Sequence, residues 1–262
     1  MIHVIGAVVL LLAAACGDGG RRSGRPSALG SPDGARRSER SPALGSPDGT
    51  HGGDPRAGDL SSRANEPKIL FLGTSLTAGL GVSSTEAYPW LIQRRLDSLG
   101  LRWHAVNGGL SGETSAGLLR RMDWLLAGNV RILIIETGAN DGLRGLDVDS
   151  TRANIEGVIA RARAHDSTTS IVLAGMEVPP NLGARYATRF RSIFRDLARR
   201  RRLTLIPFLL ERVGGIDSLN QADGIHPNPT GHRIVAETVW KAIEPIIRQG
   251  EARAAAGRTA AR

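Results

Sequence analysis

The sequence predicts an α/β domain built on a parallel sheet with helices on both faces. Three features carry that expectation: short apolar runs that recur along the chain, apolar residues at helical spacing between them, and turn-forming residues after most runs. Strands that alternate with helices are joined by right-handed crossovers, which leave neighbouring strands parallel and both sheet faces covered.

The elements follow in order. Residues 69–72 (ILFL) form the first strand, which stops at Gly73-Thr74-Ser75. Trp90, Leu91 and Leu96 mark a helix, and residues 103–106 the second strand, followed by the turn NGGLSGET at 107–114. Leu118, Leu119, Met122, Leu125 and Leu126 trace the next helix, and residues 132–135 the third strand, followed by TGANDG at 137–142. The fourth strand is 171–174, with a Pro- and Gly-containing loop over 176–186 that holds Pro179, Pro180, Asn181 and Gly183. Phe190, Ile193, Phe194 and Leu197 mark a helix before the fifth strand at 203–206. The last helix starts near Pro229, with Asn228 as its cap and the proline in the first turn, where a missing N–H costs nothing.

Outside this pattern the composition shifts. Residues 1–16 hold a short apolar run that ends in small residues and Cys16, the only cysteine in the 262-residue chain. The run is too short to span a bilayer, which takes about 20 apolar residues, and fits the core of an export signal. Its junction resembles a bacterial lipoprotein signal, which makes Cys16 the expected lipidation site. Residues 17–65 are rich in Gly, Ser, Pro and Arg and repeat ALGSPDG at 28–34 and 43–49. Such a segment cannot bury enough apolar surface to offset its ordering entropy and reads as a linker. The folded domain is expected over 66–248, with 249–262 a flexible tail.

The net charge of +9 raises nucleic-acid binding. The excess is spread over both ends and the middle, however. Residues 199–202 form the only dense arginine run of the middle, lysine occurs only at Lys68 and Lys241, and few aromatics lie near the arginines. Nucleic acid is therefore not an expected partner.

In an open parallel sheet the carboxyl ends of the strands line one edge, where ligands bind. That edge gathers Ser75, the glycine-rich 107–114 turn, Asn140, and the pair Asp223 and His226. A serine hydroxyl becomes a useful nucleophile when a histidine takes its proton, and the histidine needs an acceptor that fixes its tautomer. Asp223 and His226, three residues apart in a turn stiffened by Pro227, meet without a long-range contact. The amides of Ser75 and Gly112 and the side-chain amide of Asn140 are candidate oxyanion donors.

GTSLTAGLG, NGGLSGETSAGLL, ETGANDGLRG, PPNLGARY and DGIHPNPTGH resemble the GDSL or SGNH hydrolases, specifically the branch of bacterial arylesterases, acyl-CoA thioesterase I and lysophospholipase L1. The resemblance spans about residues 67–247. It implies a three-layer flavodoxin-like sheet of order 2-1-3-4-5 and hydrolysis of small acyl esters or thioesters through an acyl-serine. It places the nucleophile on Ser75, the acid and base on Asp223 and His226, and the oxyanion hole on Ser75, Gly112 and Asn140. Thr74, Leu76, Pro180 and Asn181 are expected to contact substrate. No metal or organic cofactor is implied, and the expected molecule is an exported monomer whose only membrane contact is the lipid anchor. Thr74 stands where the family usually has aspartate.

Other chemistries fit less well. Gly73, Gly79 and Gly81 do not make G-x-G-x-x-G, and Thr77 breaks the G-x-S-x-G elbow of α/β-hydrolases. Asp223, His226 and His232 lack a recognised metal spacing and a further ligand; His232 is expected to pack at the start of the last helix. Two alternatives remain at this stage: an O-acetyl esterase acting on glycans, and a tethered binding protein without turnover.

Overall fold

The computed structural model describes residues 66–260. Among the described residues the chain forms five strands: β1 (Lys68–Gly73), β2 (His104–Gly109), β3 (Val130–Ile135), β4 (Ser170–Ala174) and β5 (Thr204–Ile206). They make one parallel sheet of order β2-β1-β3-β4-β5, the expected flavodoxin-like arrangement. Strands β1 and β3 sit in the middle, and their side chains from Ile69 to Leu72 and from Ile132 to Ile135 are almost wholly buried. A strand buried on both faces reads as a continuous apolar run, which is why these two were legible.

Among the same residues seven α-helices complete the layers: α1 (Ser75–Ala78), α2 (Tyr88–Ser98), α3 (Ser115–Leu125), α4 (Ala139–Leu143), α5 (Val148–His165), α6 (Ala184–Arg201) and α7 (Pro229–Ala260). Helix α2 packs against α7, and α5 packs against both α3 and α6. The α7 start is built as expected, with Asn228 Oδ1 accepting from the amides of Thr230 and Gly231 at 3.0 Å each. His232 is 1 % exposed and stacks on Tyr88, and its Nδ1 accepts from the Tyr88 amide at 3.3 Å. Burial lowers the His232 pKa to about 4, so the ring is neutral at pH 7.

Two boundaries differ from expectation. Strand β2 continues through Asn107, Gly108 and Gly109, which the sequence reading gave to a turn. These residues pair with Phe71, Leu72 and Gly73. A side chain on Gly109 would run into the backbone of Ala78 in α1, so the glycine serves close packing inside the sheet. At the other end the expected tail is helical, because α7 runs on to Ala260. The extension has a tertiary anchor: Gly250 lies under the Trp103 ring, and Trp103 Nε1 donates to Glu251 Oε1 at 2.8 Å. The export signal, Cys16 and the linker lie outside the described residues.

Candidate active site

Strand β1 ends at Gly73 and the chain enters α1 at once, so Ser75 occupies the first helical position. Only glycine fits at 73, since a Cβ there would collide with the Thr77 hydroxyl and the Glu136 carboxylate. Ser75 faces the turn that precedes α7. In that turn Asp223 Oδ1 accepts from the amides of Ile225 and His226, both at 3.0 Å, while Oδ2 lies 2.6 Å from His226 Nδ1. His226 Nε2 lies 2.8 Å from Ser75 Oγ. With Asp223 ionised, Nδ1 carries the proton and Nε2 presents its lone pair to the hydroxyl.

The Asp223 side chain is 44 % exposed and that of His226 14 %. Partial burial pushes the Asp223 pKa up, but hydrogen bonds from the His226 ring and from the two amides outweigh it and hold the group below its ordinary value. Gln221 ties this turn to the serine loop. Its Nε2 donates to Leu80 O at 2.7 Å and to Pro227 O at 3.0 Å, and its amide donates to His226 O at 2.8 Å.

Gly112 is exposed on the loop after β2 with φ +77°, a conformation that suits glycine. Its carbonyl accepts from Arg144 at 3.0 Å. Asn140 sits in the first turn of α4, and its Nδ2 donates to Glu113 O at 3.0 Å, which leaves the second amide proton for another acceptor. Two buried groups brace this corner. The Asp141 carboxylate accepts from the Ser115 amide at 2.8 Å and from its hydroxyl at 2.5 Å. Arg121 pairs with Glu113 at 2.7 Å and donates to Gly108 O at 2.8 Å.

A cleft of about 450 Å³ opens beside Ser75, with Asn140 and His226 on its wall. Leu143, Met176, Val178, Phe208, Leu210 and Ile225 give it an apolar lining. Of the substrate contacts expected from sequence, Leu76 lines this cleft. Thr74 also borders it, yet is 1 % exposed and sends its hydroxyl away to Glu136. Asn181 is exposed in the 3-10 turn Pro180–Leu182 and does not line the cleft, to which this loop contributes residues 176–179. Proline and glycine mark where a loop lies, not which of its residues turn inward.

Sequence reasoning missed Glu136, which is fully buried directly after β3. Its carboxylate accepts from the Thr74 amide at 2.7 Å and from the Thr74 and Thr77 hydroxyls at 2.9 Å. An acid closing the run VRILII was the available signal.

Known proteins resemble this chain in sequence and fold. The model of the GDSL-like Lipase/Acylhydrolase family matches residues 71–234. The chain is 36 % identical to the Esterase TesA of Pseudomonas aeruginosa over 189 residues, which are 72 % of this chain and 93 % of that protein. It is 32 % identical to the Thioesterase 1/protease 1/lysophospholipase L1 of Escherichia coli over 180 residues, 68 % of this chain and 84 % of the relative. Among solved structures, esterase EstA from Pseudoalteromonas sp. superposes with a TM-score of 0.66 at 31 % identity, covering 70 % of this chain and all of that one. Family match, relatives and strand order agree, and the chain belongs to the GDSL-like lipase/acylhydrolase family.

Proposed function

We propose that the protein is a serine esterase that hydrolyses carboxylic esters or thioesters through an acyl-Ser75 intermediate. The observation that carries this is the continuous line from Asp223 through His226 to Ser75 Oγ, with contacts of 2.6 and 2.8 Å. Names of relatives point the same way, since they include an esterase, an arylesterase and a thioesterase/lysophospholipase.

In this mechanism Ser75 Oγ attacks the acyl carbonyl while His226 Nε2 takes the hydroxyl proton. Asp223 stabilises the imidazolium through Nδ1. The oxyanion takes hydrogen bonds from the Ser75 and Gly112 amides and from Asn140 Nδ2, each donor worth ~3 kcal/mol of transition-state stabilisation. Collapse of the tetrahedral intermediate releases the alcohol or thiol, which His226 protonates. A water activated by His226 then cleaves the acyl-serine, and the same donors hold the second oxyanion. No step calls for a metal or an organic cofactor.

The apolar cleft lining favours a hydrocarbon acyl chain over an acetylated glycan. Leu76 and the residues at 176–179 are the proposed acyl contacts, and Thr74 acts from beneath the turn. Among the described residues no helix is long and apolar enough to cross a membrane. Export through residues 1–16, with lipid attachment at Cys16, rests on the sequence pattern alone. The test is hydrolysis of p-nitrophenyl acetate by wild type and Ser75→Ala. The wild type turns over and the variant falls to the buffer rate; equal rates in both leave a binding protein on a hydrolase scaffold.

A further inference from the structure

Below Ser75 lies a buried network that the mechanism above does not use. The Glu136 carboxylate takes its hydrogen bonds from the serine turn: the amides and the hydroxyls of Thr74 and Thr77. The Thr77 hydroxyl also meets Tyr88 Oη at 2.7 Å, and Tyr88 is 0 % exposed. With Glu136 ionised, every proton in this chain has an acceptor: Tyr88 donates to Thr77, and Thr77 and Thr74 donate to the carboxylate. A proton on Glu136 reverses one link and costs the network one of these bonds.

We propose that Glu136 is a positioning residue for the nucleophile, whose ionised carboxylate fixes the Thr74–Thr77 turn so that Ser75 Oγ meets His226. The inference rests on the serine-esterase reading above. The geometry requires a tight fit, because Gly73 leaves no room for a Cβ between β1 and this carboxylate. The titratable groups facing it are few. Tyr88 lies beyond Thr77, and the neutral His232 stacks on the far side of Tyr88 within the influence of Glu86 and His226. No arginine or lysine pairs with Glu136 among the described residues. Burial pushes its pKa up to about 7, against the pull of the hydrogen bonds from Thr74 and Thr77, so the clamp titrates near neutral pH.

Glu136→Gln keeps the size but replaces one acceptor oxygen with a donor, mimicking the protonated clamp. Its kcat on p-nitrophenyl acetate at pH 8 falls about tenfold with KM within about twofold, a loss typical of a slightly misplaced nucleophile. The gap closes below about pH 6, where wild-type Glu136 is itself protonated. Thr74→Val removes one donor to the ionised form and moves the acid limb of wild-type kcat to higher pH. That second variant decides the matter if Glu136→Gln does not fold. A wild-type kcat in Glu136→Gln, a deficit equal at every pH, or an unmoved limb in Thr74→Val overturns the proposal. The carboxyl stretch of Glu136, followed by infrared difference spectroscopy against Glu136→Gln, reports its titration without substrate. A protein that hydrolyses no ester therefore defeats the esterase reading, while the spectrum still tests the clamp's ionisation. A carboxyl that stays ionised down to pH 5 contradicts it.

Discussion

Two carboxylates flank Ser75, and they are built in opposite ways. Asp223 is half in water on a turn that its own oxygens help to close. Glu136 is sealed beneath the serine turn, and its partners reach it from the β1–α1 junction and from α1. At Asp223 burial is outweighed by several hydrogen bonds acting together, which hold its pKa down; at Glu136 burial prevails and raises it to about 7. Environments that drive two acids apart give them different roles. On this account Asp223 is a permanent anion that orients the base, and Glu136 is a conditional anion that holds the nucleophile's floor.

The comparison is sharpest under mutation. Asp223→Asn keeps the shape but donates where an acceptor is needed, so His226 takes the wrong tautomer. We expect kcat on p-nitrophenyl acetate to fall about 10⁴-fold. A loss below tenfold would remove the asymmetry between the two acids.

Stability against pH separates them next. A carboxyl whose folded pKa lies above its unfolded value favours folding when protonated. The advantage is whole below the unfolded pKa, near 4.5, and is lost as pH rises to about 7. Urea titrations should therefore show wild type losing stability relative to Glu136→Gln between about pH 4.5 and 7, by roughly 2–3 kcal/mol. Asp223 has the opposite sign, since its depressed pKa contributes stability that disappears as pH falls. A flat difference for Glu136 would mean that its carboxyl is better solvated than its burial implies.

The smallest effect expected is that of Thr74→Asp, which returns the residue usual in the family. A second carboxyl beside Glu136 forces the pair to share a proton near neutral pH. Activity at pH 8 should stay within about tenfold of wild type, a barrier change of ~1.4 kcal/mol. The acid limb should move upward. Total loss would show that the turn depends on the threonine hydroxyl itself.

The contrast between the acids also marks what the sequence could reveal. Asp223 and His226 share one short turn, and Asn228 caps the helix that follows, so local chemistry sufficed to find them. Strands β1 and β3 were legible as unbroken apolar runs, and the strand ends then told which loops share an edge. Glu136 was invisible because its partners are about 60 positions away, and only the β1–β3 register brings Leu72 beside Ile135 and the acid under Thr74. The end of α7 was missed for the same reason, since Trp103 holds Glu251 from 148 positions away. Asn181 lies outside the cleft lining, a finer detail, as loop composition does not encode which side chains face a cleft.

The account stands or falls on Ser75 as the covalent centre. Acid quenching during turnover of p-nitrophenyl acetate, followed by peptide mass mapping, tests this directly. An acetyl group on the peptide containing Ser75, absent in Ser75→Ala and accumulating at low pH, is the predicted result. Turnover that leaves Ser75 unmodified, or survives its replacement by alanine, would contradict it.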